Sequence, residues 1–292
     1  MSLMVLDGLP RATHEVNRQR KRVALVRGPV TLGALVVSFP LDPARTSSFD
    51  LGPAEATTAV LLLHGFTGSP WEVRPLAESL ADRGFFVRAP RLPGHGTTPE
   101  DMLWVTWREW LSAAEASLDS LSRFPRVCVA GLSMGGLLGL LLAERHGARV
   151  SKLVLMAPVM RVQHRVGRVL ERLGRGAVRG FAARWLEKTT TDLEDDAARA
   201  QSPVLPRYPL GRLLDLFELQ RLARRAAPRV TSPTLIAAAV HDHVVQFESL
   251  ERLHADMPGS RFLVLQRGFH ILPHDVDRAR LTAEVAEFID EP

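Results

Sequence analysis

The chain has 292 residues, 46% hydrophobic and 24% charged, which is enough to bury a sizeable core as one large domain or a domain carrying an insertion. A single cysteine, Cys128, excludes an internal disulfide framework and points to a reducing compartment, the cytoplasm, and no run of 18 uncharged apolar residues could form a spanning helix. The net charge of +5 accompanies no nucleic-acid motif, and with 34 arginines against three lysines it reads as compositional bias, so no nucleic-acid partner is expected.

In chain order, residues 1–57 form an N-terminal extension. A basic group, Arg18, Arg20, Lys21 and Arg22, precedes the apolar VALVRGPVTLGALVVSF. Arg27 interrupts that stretch, Asp7 and Glu15 lie upstream, and no small-x-small cleavage site follows, so it is expected to be a β-hairpin at a sheet edge and not a signal peptide. Six short apolar runs follow: TAVLLLHG (58–65), FFVRAPRL (85–92), RVCVAGLS (126–133), SKLVLMAP (151–158), TLIAAAVHD (234–242) and RFLVLQRG (261–268). Their continuous hydrophobicity predicts strands covered on both faces, as in a parallel sheet. The amphipathic WEVRPLAESLADRG, WREWLSAAEASLDSL and RLTAEVAEFID between and after them predict helices. The alternation gives an α/β fold with a mostly parallel central sheet and helices on both faces.

One connection breaks the rhythm. Residues 159–233 separate two strands that an ordinary crossover of roughly a dozen residues would join. Val162, Val166, Val169, Leu170, Leu173, Ala177 and Val178 follow helical spacing, as do Leu213, Leu214, Phe217 and Leu222. This segment is therefore expected to be a small helical cap inserted after the sixth strand, counting the hairpin, and placed over the carboxyl edge where ligands bind. The core is expected at 58–158 and 234–292. The cap also concentrates charge, at net +7. Arg165, Arg168, Arg172, Arg175 and Arg179 are expected to form a solvated helix face; the other reading is weak contact with an anionic lipid surface.

VAGLSMGGLLG (129–139) places Ser133 on a tight strand-to-helix turn. Flanking residues must lack bulk there, which Gly131 and Gly135 satisfy, and the hydroxyl is held above the sheet edge beside a helix N-terminus. A phosphate loop does not fit, since neither GxGxxG nor GxxxxGK[ST] is present. A nucleophilic serine needs a base, an orienting acid and an oxyanion hole. Asp242 ends one apolar run and His270 follows another, so both emerge at the edge that carries Ser133, in the order Ser, Asp, His. His274, His241 and His243 are rival bases and Asp275 is a rival acid. The amide of Met134, just after the serine, and that of Phe66, in the loop after the first long run, are the candidate oxyanion donors. His64 in that loop reads as a structural hydrogen-bonding residue. Phe66, Val244, Val245 and Ile271 would border an apolar, acyl-binding site.

HGFTGSP, RLPGHGTTPEDM, GLSMGG, HDHVV and GFHILPHD, in that order, resemble the bacterial carboxylesterase and monoacylglycerol lipase branch of the α/β hydrolases, from about Ala59 onward. The resemblance implies the triad Ser133, Asp242 and His270, with Phe66 and Met134 as oxyanion donors and with no metal or cofactor. In the monoacylglycerol lipases a cap glutamate contacts the glycerol head. The aligned stretch here reads VLPRYPLGRLL, with Pro206 near that place, so the resemblance carries an ester and does not fix a glycerol head group. The expected substrates are short-to-medium acyl esters or monoacylglycerol-like lipids. Two other readings stand beside hydrolysis: acyl transfer or thioester cleavage by the same triad, and a non-catalytic binding protein on this fold.

Overall fold

The computed structural model describes residues 41–164, 167–169, 171, 182–188 and 191–291. The predicted N-terminal hairpin lies outside these residues, as do Arg165, Arg172, Arg175 and Arg179 of the basic segment. The strands are β1 (Phe49–Leu51), β2 (Thr58–Leu63), β3 (Phe86–Ala89), β4 (Arg126–Leu132), β5 (Lys152–Met156), β6 (Trp185–Glu187), β7 (Arg207–Pro209), β8 (Thr234–Ala239) and β9 (Arg261–Leu265). The helices are α1 (Pro43–Thr46), α2 (Arg74–Asp82), α3 (Trp107–Asp119), α4 (Met134–Arg145), α5 (Asp196–Gln201), α6 (Leu210–Ala226), α7 (Phe247–Asp256) and α8 (Arg278–Asp290).

Seven strands form one sheet in the order β1-β3-β2-β4-β5-β8-β9. The six apolar runs are its parallel strands, and β1 pairs antiparallel with β3 at the edge. Residues alternate between the two faces of each strand, so one run feeds two cores. Ala59, Leu61 and Leu63 of β2 face a layer made by α3, α4, α6 and α7, while Val60 and Leu62 face α2 and α8. Because β2, β5 and β8 are buried at every residue, their sequences read as unbroken apolar runs. Helix α4 is also buried along almost its whole length, which explains its uniformly apolar MGGLLGLLLA.

The strand order fixes the place for chemistry. From β2 the chain steps outward to β3 and then returns across β2 to β4, so the order reverses between β2 and β4. Loops leaving the carboxyl ends of those two strands diverge and leave a crevice. The loop beginning at His64 and the turn at Ser133 are those two loops.

The segment predicted as a helical cap differs from an all-helical one. It contains an antiparallel two-stranded sheet of β6 and β7, with Leu186 opposite Tyr208. Its last helix, α6, lies in the same apolar layer as α3 and α4, through Leu216, Leu219, Ala223 and Ala226. That helix is the crossover into β8, so the part that departs from the sheet's own layers ends near Pro209. No helix of the described residues is long and apolar enough to cross a membrane.

Two cations on the sheet hold the end of α8. Lys152 Nζ donates to the carbonyls of Phe288 at 2.7 Å and Glu291 at 2.5 Å, and Arg126 Nη2 donates to those of Ile289 and Glu291. The last carbonyls of a helix have no partner within the helix, and a cation there also meets the negative end of its dipole. Lys152→Met removes two such bonds at a side chain only 4% exposed. The expected cost is about 1–3 kcal/mol, seen as a lower urea midpoint with an unchanged m-value.

Candidate active site

Ser133 stands between β4 and α4 with φ 55° and ψ −113°, a backbone conformation that L-residues rarely adopt. The close approach of strand and helix imposes it. A Cβ on Gly131 would lie 2.2 Å from the carbonyl carbon and oxygen of Gly135, and a Cβ on Gly135 would lie 2.1 Å from the carbonyl oxygen of Leu63. Both clashes are with backbone, so neither position can carry a side chain without moving an element. The amide of Ser133 donates to Met156 O at 2.9 Å, which ties the turn to β5.

His270 and Asp242 meet at the same edge. Nδ1 of His270 lies 2.8 Å from Asp242 Oδ2, while Asp242 Oδ1 accepts the amides of Val244 at 2.7 Å and Val245 at 2.8 Å. The carboxylate therefore accepts a hydrogen bond from Nδ1–H and keeps the proton on that nitrogen, leaving Nε2 as the ring's free basic nitrogen. Ser133 and His270 line one cavity. Burial alone would lower the pKa of His270. The charge and hydrogen bond of Asp242, joined by the charges of Asp192 and Glu72, outweigh it and hold the imidazole above its ordinary value of 6.5.

The rival groups are occupied elsewhere. His274 stacks on Trp71 at 3.6 Å and bonds through Nε2 to Trp71 O, and burial takes its pKa down to about 4. Asp275 is buried among amides and accepts from Phe269, Glu194, Asp195 and Val276. His243 pairs with Asp192 at 2.8 Å, and His241 is exposed. His64 accepts the amide of Leu92 on Nε2 at 3.0 Å and bonds through Nδ1 to Gly65 O at 2.9 Å; burial takes its pKa to about 3. It braces the loop as a neutral ring.

The loop after β2 wraps a carboxylate that has no signature in the sequence. Glu72 is 6% exposed, and its Oε2 accepts the amide of Gly65 at 2.8 Å. Burial raises its pKa, against the opposing charge of Lys188. Lys188, from the segment after β6, donates from Nζ to Thr67 Oγ1 at 2.7 Å; burial lowers its pKa while Glu72 and Asp192 oppose that. Among the described residues the amides of Phe66 and Met134 make no hydrogen bond within the protein, and Met134 opens α4 at the positive end of its dipole.

The cavity measures about 630 Å³. Phe66, Val162, Tyr208, Leu213, Val244 and Ile271 give it apolar walls, and Thr67, Glu72, Lys188 and Asp192 form a polar side. Val245 is not part of it. That residue is 1% exposed and packs in the core, and only its amide serves the site, through Asp242. Glu72, Lys188 and Asp192 escape a reading of sequence alone. The one available hint is that lysine is so rare in this chain, and that both described lysines, Lys152 and Lys188, are held by protein acceptors.

A serine on a strained strand-to-helix turn, and a histidine–carboxylate pair at neighbouring strand ends of this sheet, define a serine hydrolase of the α/β-hydrolase class. The chain belongs to the family described as serine aminopeptidase, S33 (Hydrolase_4), which matches residues 54–277. It is 31% identical over 232 residues to the thermostable monoacylglycerol lipase of Bacillus sp. (strain H-257), covering 78% of this chain and 89% of that protein. It is 25% identical over 240 residues to a carboxylesterase of Bacillus subtilis (strain 168), covering 80% and 92%. A solved structure from the metagenome-derived lipolytic enzymes LipS and LipT superposes with a TM-score of 0.76 at 28% identity, covering 84% of this chain and 97% of that one. The protein is an ester hydrolase of this class.

Gly135→Ala tests the elbow. Forcing α4 off β2 should cost about 1–3 kcal/mol in urea unfolding and slow the labelling of Ser133 by a fluorophosphonate. An alanine variant with wild-type stability and labelling would show that the close approach does not set the serine.

Proposed function

We propose that the protein cleaves short-to-medium acyl esters or monoacylglycerol-like lipids through an acyl-enzyme on Ser133. The observation that carries this reading is the His270–Asp242 pair opening onto an apolar cavity that Ser133 also lines. His270 Nε2 takes the hydroxyl proton as Ser133 Oγ attacks the ester carbonyl. The tetrahedral oxyanion is held by the amides of Phe66 and Met134. Collapse expels the alcohol, which takes the proton from His270. Water, deprotonated by the same ring, then releases the carboxylic acid and restores Ser133. The apolar walls receive the acyl chain, and the part of residues 159–233 that leaves the sheet layers acts as the cap over it. A cytoplasmic location belongs to this reading and agrees with the free, buried Cys128.

Hydrolysis of a p-nitrophenyl ester series from acetyl to palmitoyl, with monoglycerides alongside, tests it. Each methylene buried in the cavity is worth about 0.8 kcal/mol, so kcat/KM should rise by up to about fourfold per carbon until the cavity is full and then fall. Ser133→Ala should lose about 10⁴-fold or more, and Asp242→Asn about 10⁴-fold through the wrong imidazole tautomer. Equal turnover of every ester by wild type and Ser133→Ala would sink the reading.

The acid limb of kcat/KM reports His270. The base must be neutral, and its pKa is raised, so activity is present above that pKa and lost as pH falls through it. The limb should lie above pH 6.5, the ordinary histidine value. A limb well below that value would contradict the assignment of His270 as base.

A further inference from the structure

The residues just before α5, Thr191–Asp195, run between the loop that carries the acid and the loop that carries the base. Asp192 grips both. Its carbonyl accepts the amides of His270 at 3.2 Å and Ile271 at 3.3 Å. Its carboxylate accepts the amide of His243 at 3.1 Å and lies 2.8 Å from His243 Nδ1, one residue beyond Asp242. The neighbours extend the clasp. Glu194 Oε2 accepts the amide of Gly268 at 2.6 Å, and Asp275 accepts amides from Phe269 on the base loop and from Glu194 and Asp195 on the strap. A few residues upstream, Lys188 bonds to Thr67 in the loop of the oxyanion candidates.

Resting on the triad reading above, we propose that Asp192 is a positioning residue of the catalytic centre, which sets His270 against Asp242 by bonding the two loops to one strap of the insertion. The acid and base come from loops after β8 and β9, which touch directly through the His270–Asp242 pair and the edge-on rings of His243 and Phe269, 4.5 Å apart. Asp192 adds a backbone tie to one loop and a side-chain tie to the other. A misplacement of about 1 Å at a reacting group can cost about 10²-fold in rate, so a single acceptor at this junction has leverage far beyond its own bond strength.

Asp192 also acts through its charge. The groups facing His270 are Asp242, Asp192 and Glu72, each a carboxylate, with Lys188 as the cation on the same cavity wall and His243 held on Asp192. Removing the carboxylate of Asp192 subtracts negative charge and lets burial pull His270 toward a lower pKa.

The test is the pH profile of kcat/KM for p-nitrophenyl butyrate, and of Ser133 labelling by a fluorophosphonate, in wild type, Asp192→Ala and Asp192→Asn, with Tm measured on each. The expected result is a loss of about 10- to 100-fold in kcat for Asp192→Ala with KM little changed. In Asp192→Asn the acid limb should move to lower pH. Wild-type kcat and an unmoved acid limb in both variants overturn the proposal. So does a pH-independent loss that tracks a fall in Tm, because that is the mark of structural support alone. If neither variant folds, His243→Ala replaces them, since that side chain is 63% exposed and its loss removes the ring's contact with the Asp192 carboxylate while the backbone amide of residue 243 stays. A fall in kcat of about threefold or more, the scale of one hydrogen bond, then supports the proposal, and a wild-type rate overturns it. Absence of Ser133 labelling in the wild type is a separate result: it defeats the triad reading, and this proposal with it.

Discussion

How closely α4 is drawn onto β2 and β4 governs everything at the carboxyl edge of the sheet. The contact of Gly135 with the carbonyl of Leu63 leaves no room for a methyl group, and Gly131 meets the same helix turn from the strand side. With helix and strand fixed at that separation, the one residue between them cannot take a relaxed conformation, and Ser133 is bent to φ 55°. The strain is local, and the surrounding core determines it many times over, since α4 is buried almost end to end. The same approach fixes where α4 begins, at Met134 directly after the serine. The serine and its nearest backbone donor are thus positioned by one packing constraint.

Electrostatics supplies the second layer. The cavity is apolar enough that burial alone would leave the histidine a poor base. Three carboxylates counter this from different directions: Asp242 by direct contact, Asp192 from the insertion and Glu72 from under the loop after β2. Lys188 sits among two of them, so the polar side holds opposite charges whose pKa values are pushed in opposite directions by the same burial. Each charged group there has a protein acceptor or donor. That is the condition for keeping charge in a partly dry site.

The sheet was legible because strands buried on both faces leave an uninterrupted apolar run, and the meeting of Asp242 with His270 at one edge because both follow such runs directly. Local rules fail where the partner is distant. Lys188 finds Thr67 across 121 residues and Asp192 finds His243 across 51, so nothing near either residue marks it. Glu72 reads as an ordinary charge before α2, and only the folded loop makes it a buried acceptor. Val244 and Val245 are indistinguishable in sequence, yet the backbone turns one to the cavity and the other to the core. No turn signal in the sequence separates the crossover helix α6 from the insertion that runs straight into it; its inner face, Leu216, Leu219 and Ala223, packs in the layer of α3 and α4.

The cations beneath α8 have a consequence for the order of assembly. Arg126 and Lys152 lie on central strands, but the carbonyls they hold are 136 to 165 residues later in the chain. During synthesis β2, β4 and β5 can pair and α3 and α4 can cover one face, while the amino-terminal ends of β4 and β5 keep their basic groups in water. Their desolvation waits for α8. Contacts that close loops of this length form late and slowly, and a domain emerging residue by residue remains open at that corner until its last helix arrives. The turn that carries Ser133 is therefore assembled before the sheet that carries it is sealed.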